Sequence, residues 1–225
     1  MFRLSQLLVG TLFMAMSTVP FAAGKAVPVS ADKELTRAQA LKIVDNSEPD
    51  KRLAAVERLA VVGTMADADK LVTRLHDENE NVRELAQAAI WHIWSRSGDP
   101  EIDALYQQGI HQMQAANLDD ALTTFNEIIR RKPSFAEGWN KRATILYMTG
   151  EHRQSLKDCD EVLKRNPNHF GALSGMAQIH IILGHPEHAL EAYERAVRIN
   201  PNLPAAEENL KTLREAVNEK KQRTV

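Results

Sequence analysis

Internal disulfide bonds are excluded by the sequence, because Cys159 is the single cysteine among 225 residues. The fold must therefore be stabilised by packing rather than by covalent cross-links. Glycine and proline are also scarce, with 10 and 9 residues, which favours an all-helical chain. Basic and acidic residues number 28 and 30, so the chain lacks the basic excess of a nucleic-acid-binding protein. No nucleic-acid partner is expected.

Sequence motifs for catalysis and cofactor binding are missing as well. The chain has no Gly-x-Gly-x-x-Gly, no phosphate loop and no His-Glu-x-x-His. In Gly171–Gly175, the serine Ser174 stands one place too late for a nucleophile elbow. Asp77–Asn81 begins like a calcium loop, but Val82 and Ala88 replace the glycine and the glutamate that such a loop requires. We therefore expect a non-catalytic protein without a cofactor; an enzyme with an unrecognised site is the less favoured alternative.

A cluster of histidines lies near the C-terminus. His185 and His188 are three residues apart, and His180 is the nearest third imidazole. A metal ion held by the protein needs at least three protein ligands. The pair falls at a predicted turn and at the start of a helix, where side chains are exposed. The sequence therefore favours solvated histidines, and no metal site is predicted.

Residues 1–24 have the layout of a cleavable signal peptide. Arg3 precedes the apolar run Leu7–Val19, and a small-residue segment, Pro20–Ala26, follows it. Export together with a low cysteine content predicts a periplasmic or secreted protein, with no membrane association after cleavage. An uncleaved membrane anchor is the alternative, although the run is shorter than the ~20 residues that a span needs. Residues 25–35 form a polar linker.

The C-terminal half repeats with a period of 34 residues. Pro133, Pro167 and Pro201 are spaced by this interval. Five further sets share a residue class at the same interval: Leu105, Trp139 and Leu173; Gly109, Ala143 and Ala177; Ala121, Ser155 and Ala189; Phe125, Cys159 and Tyr193; Ile128, Val162 and Ala196. A fixed period of this length is typical of stacked helical repeats.

Each repeat reads as a helical hairpin. Small residues at positions 8 and 20 allow two helices to cross closely, and the proline at position 32 ends the second helix. The turn carries Gly150 or Gly184 in two repeats and Asn117 in the first, residue types that tolerate the left-handed conformation. Such a hairpin cannot bury both its apolar faces alone, so neighbouring hairpins must stack.

This pattern resembles the tetratricopeptide repeat (TPR). The resemblance is carried by Trp139, Ala143, Leu146, Gly150, Ser155, Cys159, Val162, Pro167 and their equivalents. It implies three repeats, residues 102–135, 136–169 and 170–203, closed by a capping helix over residues 204–220. It also implies a non-catalytic adaptor that binds a protein or a peptide.

Residues 36–97 predict two further helical hairpins with a different offset. Arg52 and Arg83 are 31 residues apart, each after an acidic or Asn-rich turn, and Ala55 and Ala86 keep the same offset. This pattern is similar to HEAT repeats. Residues 98–101 form a break, either a hinge or a tight corner. The predicted fold is an all-α, right-handed solenoid of two HEAT-like hairpins, three TPR hairpins and a cap.

Positions 2, 5, 9, 12 and 13 of each first helix share one face, and stacking is expected to align these faces into a concave groove. The candidate binding residues are Tyr106, Ile110, Met113, Asn140, Thr144, Tyr147, Met148, Gln178 and Ile181. An apolar groove suits an amphipathic helix or an apolar peptide. Two alternatives remain: a groove filled in cis by the N-terminal helices or the linker, and a structural part of an envelope assembly that oligomerises through convex or end surfaces.

Some TPR domains hold a C-terminal carboxylate with lysine, asparagine and arginine at fixed positions. This chain has Tyr106, Ile110, Lys141, Gly171 and Gly175 at those positions. The residues do not match, so a ligand of that kind is not expected.

One repeat combines two unusual charges. Arg142 occupies position 7 of the second repeat, which faces the partner helix, and Asp158 occupies position 23 beside Cys159. An inward charge is costly unless it is paired. We therefore predict a structural ion pair between Arg142 and Asp158.

Overall fold

The structure, a computed structural model, describes residues 34–223, which fold into eleven α-helices and one short 3-10 helix. The predicted signal peptide and most of the predicted linker lie outside the described residues. Within residues 34–223, no helix is both long and apolar enough to cross a membrane. The described residues fall into two units, 34–95 and 96–223, and the division lies next to the break expected from the sequence.

The first unit consists of two helical pairs. Its helices are α1 (Arg37–Ile43), α2 (Pro49–Val62), a 3-10 helix (Met65–Asp67), α3 (Ala68–Arg74) and α4 (Glu80–Trp94). α1 begins with a capping box, in which Oγ1 of Thr36 accepts from the backbone N–H of Gln39 and the backbone N–H of Thr36 donates to Oε1 of Gln39. Leu59, Leu71 and Ile90 are fully buried where α2, α3 and α4 pack together.

Each helical pair of the first unit contains the same type of arginine contact. Nη1 of Arg52 donates to the carbonyl oxygens five and six residues before it, both at 2.9 Å. Nη1 of Arg83 donates to the carbonyl oxygens at the same two offsets, at 3.2 Å for the residue five before it and at 3.0 Å for the residue six before it. The offset of 31 residues seen in the sequence therefore corresponds to equivalent positions in the structure.

Asp77 links one pair of helices to the other. Its carboxylate accepts from Nε and Nη2 of Arg52 at 2.8 and 2.6 Å, and both side chains are buried. Burial alone would raise the pKa of Asp77, but the hydrogen bonds from Arg52 and from the backbone of Asn79 lower it. Asn79 caps α4 through Val82. The turn thus caps α4, and Asp77 within it is buried in an ion pair.

The second unit consists of three helical hairpins and a last helix. Its helices are α5 (Pro100–Gln114), α6 (Leu118–Arg131), α7 (Ala136–Met148), α8 (His152–Arg165), α9 (Phe170–Ile182), α10 (Pro186–Ile199) and α11 (Ala206–Arg223). Successive hairpins pack through α6 against α7 and through α8 against α9. α11 buries Leu213 and Val217 and packs against α10, which is how a terminal helix covers the end of a stack.

Close packing within the hairpins depends on small residues. A Cβ atom added to Gly109 would lie 2.7 Å from Cζ of Phe125, so α5 and α6 need glycine at this point.

The turns need a left-handed residue, which is Gly150 in the second hairpin and Gly184 in the third. In the first hairpin it is Ala116, with φ of 59°, and the expectation for Asn117 is wrong. All three turns close with the same hydrogen bond, from a backbone N–H to the carbonyl oxygen five residues before it. This bond requires a left-handed residue just before the donor, whichever residue type stands there.

Candidate functional site

The predicted groove residues divide into two classes by exposure. Tyr106, Asn140, Thr144 and Gln178 are buried, each with at most 5% of its surface exposed. Ile110, Met113, Tyr147 and Ile181 are partly exposed, and Met148 is 53% exposed. The accessible part of the predicted groove is therefore its apolar part, and the buried part is mostly polar.

Tyr106 lies in the hydrophobic core, which corrects its assignment to an open groove. Its ring packs edge-on against Phe125 and Phe135, with centroid distances of 6.1 and 5.5 Å. Burial raises the pKa of its hydroxyl well above the ordinary value, and the nearby charge of Glu137 acts in the same direction. The aromatic pairs are formed with α6 and with the start of the second hairpin, so Tyr106 joins two repeats.

A buried carboxylate, that of Glu137, is the centre of a polar network on this face. A hydrogen bond of 2.6 Å joins Nε2 of His169 to Oε1 of Glu137, and the side-chain amide of Asn140 donates to Oε2 at 3.0 Å. Nδ1 of His169 accepts from the backbone N–H of Ala172 at 2.9 Å, so the shared hydrogen lies on Nε2. Glu137 thereby connects α7 to the N-terminus of α9.

The charges of this network compensate each other within the protein. Burial alone would raise the pKa of Glu137, but the hydrogen bond from His169 and the positive charge of Lys141 lower it to about 2. Nζ of Lys141 lies 3.8 Å from the carboxylate, and both side chains are almost fully buried. The network was not anticipated from the sequence; a possible signal was the placement of Glu137, Asn140 and Lys141 along one face of α7.

The exposed apolar side chains occur at the last turns of the first helices. We define the apolar rim as Met113, Tyr147, Met148, Ile181 and Ile182. Met148 and Ile182 are 53% and 45% exposed, and two of the four most exposed large hydrophobic side chains of residues 34–223 are therefore in this rim. Large apolar side chains left in water at equivalent positions of successive repeats indicate a contact surface.

The predicted pair of Arg142 and Asp158 is present in the structure. Nε and Nη2 of Arg142 each donate to an oxygen of Asp158 at 2.7 Å. The arginine also donates to Asn126 at 2.8 Å, and its guanidinium lies 4.9 Å from the centroid of Trp139. Its exposed fraction is 22%, so the charge is partly hydrated rather than fully inward.

Cys159 is not suited to nucleophilic chemistry. Its thiol is buried, and burial together with the negative charges of Asp158 and Asp160 raises its pKa to about 12. The thiolate is the reactive form of cysteine, and it is not populated at neutral pH with such a pKa. Cys159 acts as a small apolar residue of the second repeat.

The three C-terminal histidines lie together at the turn of the third hairpin. Each offers one ring nitrogen, and these nitrogens are all within 4.8 Å of one another. His185 and His188 are exposed, as expected, while His180 is partly buried. Burial lowers the pKa of His180, and so do the charges of His188 and His185.

Comparisons with known proteins agree on the repeat type. Residues 106–160 and residues 170–203 each match the model of a family described as tetratricopeptide repeat. A TPR repeat-containing protein from Rhizobium etli is 31% identical over 114 residues, which are 50% of this chain and 56% of that protein. The chain therefore spans just over half the length of this curated relative.

Solved structures with the same fold cover just over half of the chain. The first TPR domain of Spaghetti (RPAP3), bound to an HSP90 peptide, is 20% identical with a TM-score of 0.50, covering 52% of this chain and 93% of that domain. The Sgt2 TPR domain from Aspergillus fumigatus is 21% identical with a TM-score of 0.51, covering 55% of this chain and 83% of that domain. The likeness is one of fold, and the chain contains tetratricopeptide repeats over residues 106–160 and 170–203.

Proposed function

We propose that this chain is a non-catalytic adaptor that binds a protein or peptide ligand through the apolar rim of its tetratricopeptide repeats. The observation that carries the proposal is the exposure of Met148 and Ile182 at equivalent positions of successive repeats. Tyr147 and Ile181 adjoin them and are partly exposed. Methionine and aliphatic side chains adapt to apolar partners, so the ligand is an amphipathic helix or an apolar peptide segment.

The buried polar face supports an apolar ligand rather than a charged one. Lys141 is the single cation at the positions that grip a carboxylate in some TPR domains, and it lies beside Glu137 inside the repeat unit. Gly171 and Gly175 offer no side-chain donor at the other positions. The RPAP3 domain is bound to an HSP90 peptide. Because this chain lacks the residues that hold a carboxylate in some TPR domains, we assign it a different ligand class.

The place of action that we propose is the periplasm. The support is the apolar run Leu7–Val19 between Arg3 and a small-residue segment, which has the layout of a cleavable signal.

We also propose that residues 36–97 are HEAT-like repeats. The shared carbonyl contacts of Arg52 and Arg83 at the 31-residue offset support this assignment.

Site-specific photo-crosslinking tests the binding surface. A photoreactive amino acid is placed at Met148 in the rim, at Val61 as a control and at Lys157 on the exposed side of α8. Val61 is 55% exposed, so it matches Met148 in exposure but lies in the other unit. We expect a defined adduct in the cell envelope from position 148 and none from position 61.

Two outcomes contradict the adaptor proposal. Equal adducts from positions 148 and 61 would show nonspecific contact with exposed apolar side chains. An adduct between two copies of this chain from position 157, without one from position 148, would favour the structural envelope component that assembles through other surfaces.

A further inference from the structure

We propose that His180, His185 and His188 form a binding site for a divalent transition-metal ion, and that zinc is the ion it takes. The three imidazoles offer ring nitrogens within 4.8 Å of one another. Ring centroids are separated by 5.9 Å between His180 and His185, by 5.2 Å between His180 and His188, and by 5.8 Å between His185 and His188. All three rings therefore surround one small volume.

The backbone of the turn fixes this arrangement. His180 lies in the last turn of α9, His185 is the residue that precedes α10, and His188 lies in the first turn of α10. The N–H of His185 donates to the carbonyl of His180 at 2.8 Å, and Gly184 adopts φ of 74° between them. The first two ligands are thus held by a closed turn, and the third by one turn of helix.

The histidines are not needed to form the turn. The first and second hairpins close with the same backbone bond, from Asn117 to Gln112 at 2.9 Å and from Glu151 to Leu146 at 2.7 Å. Those four residues, together with Asp120 and Gln154, occupy the equivalents of the three histidine positions. Only the third repeat carries imidazoles there, so the cluster is an addition to the repeat and not a part of its fold.

The environment of the cluster suits a cation. Within residues 34–223, Nδ1 of His180 is buried without a hydrogen-bond partner, and a buried polar atom is costly unless it is satisfied. Asp160 on α8 and Glu191 on α10 act on His180 with negative charge. Glu187 is already paired with Lys220 at 2.8 Å. A bound cation would satisfy the imidazoles and be attracted by the two carboxylates.

The geometry is compatible with tetrahedral coordination after small side-chain movements. Zinc binds imidazole nitrogen at 2.0–2.1 Å, which places ligand nitrogens about 3.3 Å apart in a tetrahedron. The present separations of up to 4.8 Å close to this value when each ring moves by roughly 1 Å. His185 and His188 are exposed and free to rotate toward the partly buried His180. Three imidazoles leave the fourth position for water or for a ligand donor.

Calorimetric titration of the tag-free full chain with zinc chloride tests the site. We expect uptake of one zinc ion per chain, and we expect His180→Gln, His185→Gln and His188→Gln each to weaken binding by at least about tenfold. His152→Gln is the matched control, because His152 lies beside the equivalent turn of the second hairpin and its ring packs against Tyr147, with the centroids 5.6 Å apart. It should bind zinc like the unaltered chain. Calcium and magnesium, which prefer oxygen ligands, should not compete.

A second measurement separates loss of the site from loss of folding. The unfolding temperature of each variant is followed by circular dichroism with and without zinc. Zinc should raise this temperature for the unaltered chain and for His152→Gln, and should leave it unchanged for His188→Gln, which should fold normally without metal. Absence of saturable zinc uptake overturns the proposal, as does uptake that survives all three substitutions in the cluster.

Discussion

Arg142 and Asp158 form a bidentate ion pair across the hairpin of α7 and α8. Both donor–acceptor distances are 2.7 Å, and the side chains are 22% and 6% exposed. The equivalents of Arg142 in the other repeats are Gln108 and Met176, which are uncharged. The second repeat thus has a charged pair at a position where the other repeats have uncharged residues. Removing either charge leaves the other without its partner.

A double-mutant cycle should show this dependence. We expect Arg142→Met alone to lower the free energy of unfolding by about 2 kcal/mol, because it leaves the buried Asp158 carboxylate without its partly exposed partner. Asp158→Ala alone should cost less, since Arg142 can extend into water. The double substitution, measured by urea unfolding, should cost clearly less than the sum of the two. Additive losses would show that the contact contributes nothing of its own.

Glu137 should make the protein sensitive to acid. Its pKa is about 2 in the folded chain, below the ordinary value of 4.5. Because the folded-state pKa is the lower one, its stabilisation is complete above pH 4.5 and is lost as pH falls from 4.5 towards 2. At 1.36 kcal/mol per pKa unit, the loss is about 3 kcal/mol.

Urea unfolding between pH 5 and pH 2 is the measurement for Glu137. The free energy of unfolding of Glu137→Gln should fall less steeply with decreasing pH than that of the unaltered chain. Glu127→Gln is the control, because Glu127 is paired with Arg130 on the exposed side of α6. Arg130 lowers the pKa of Glu127 as well, but an exposed ion pair contributes little to stability, so the control should stay close to the original slope. Parallel curves for all three proteins would mean that Glu137 is not a main source of acid sensitivity.

The repeat unit should fold without the first unit. Residues 96–223 form one of the two units, Asp99 caps α5 from within it, and α11 covers its last hairpin. A fragment of residues 96–225 should give a helical circular dichroism spectrum and a single cooperative melt. An unfolded fragment would indicate that both units share one core.

The export assignment predicts a processed N-terminus. The small residues after Leu7–Val19 place the cleavage between Ala22 and Ala26, because the signal peptidase needs small side chains before the cut. Mass spectrometry of the protein from a periplasmic extract should therefore find a first residue between Ala23 and Val27. Intact Met1 in a membrane fraction would instead support an uncleaved anchor.

Periodicity in the sequence determined most of the helical architecture. The 34-residue spacing located the three hairpins. It also located the small residue at position 8 of each first helix, which in the first hairpin is Gly109 packed against Phe125. The pair of Arg142 and Asp158 was also predictable, because position 7 faces the partner helix and an arginine placed there needs a partner, for which Asp158 on that helix is within reach. Arg52 and Arg83 were found as equivalents by the same reasoning applied to a 31-residue offset.

Exposure could not be read from the repeat positions. Position 5 belongs to the predicted groove face in each repeat, yet Tyr106 is buried, with its ring packed against Phe135 just before α7 and its hydroxyl bonded to Glu137 on α7. That contact depends on how two hairpins stack, which single-repeat periodicity does not describe. The histidine cluster has a different origin, because it lies within one hairpin, where the backbone hydrogen bond of the turn brings His180 to His185.

Binding of the crosslinked ligand segment to purified protein tests the central claim most directly. The affinity is measured by calorimetry for the unaltered chain, for Tyr147→Glu in the apolar rim and for Val61→Glu on the other unit. Tyr147 is partly exposed, so a charge there should disturb the rim with little loss of stability. We predict at least about a tenfold loss of affinity for Tyr147→Glu, equivalent to about 1.4 kcal/mol or more, and no change for Val61→Glu. Undiminished binding by a folded Tyr147→Glu would contradict the assignment of the rim as the binding surface.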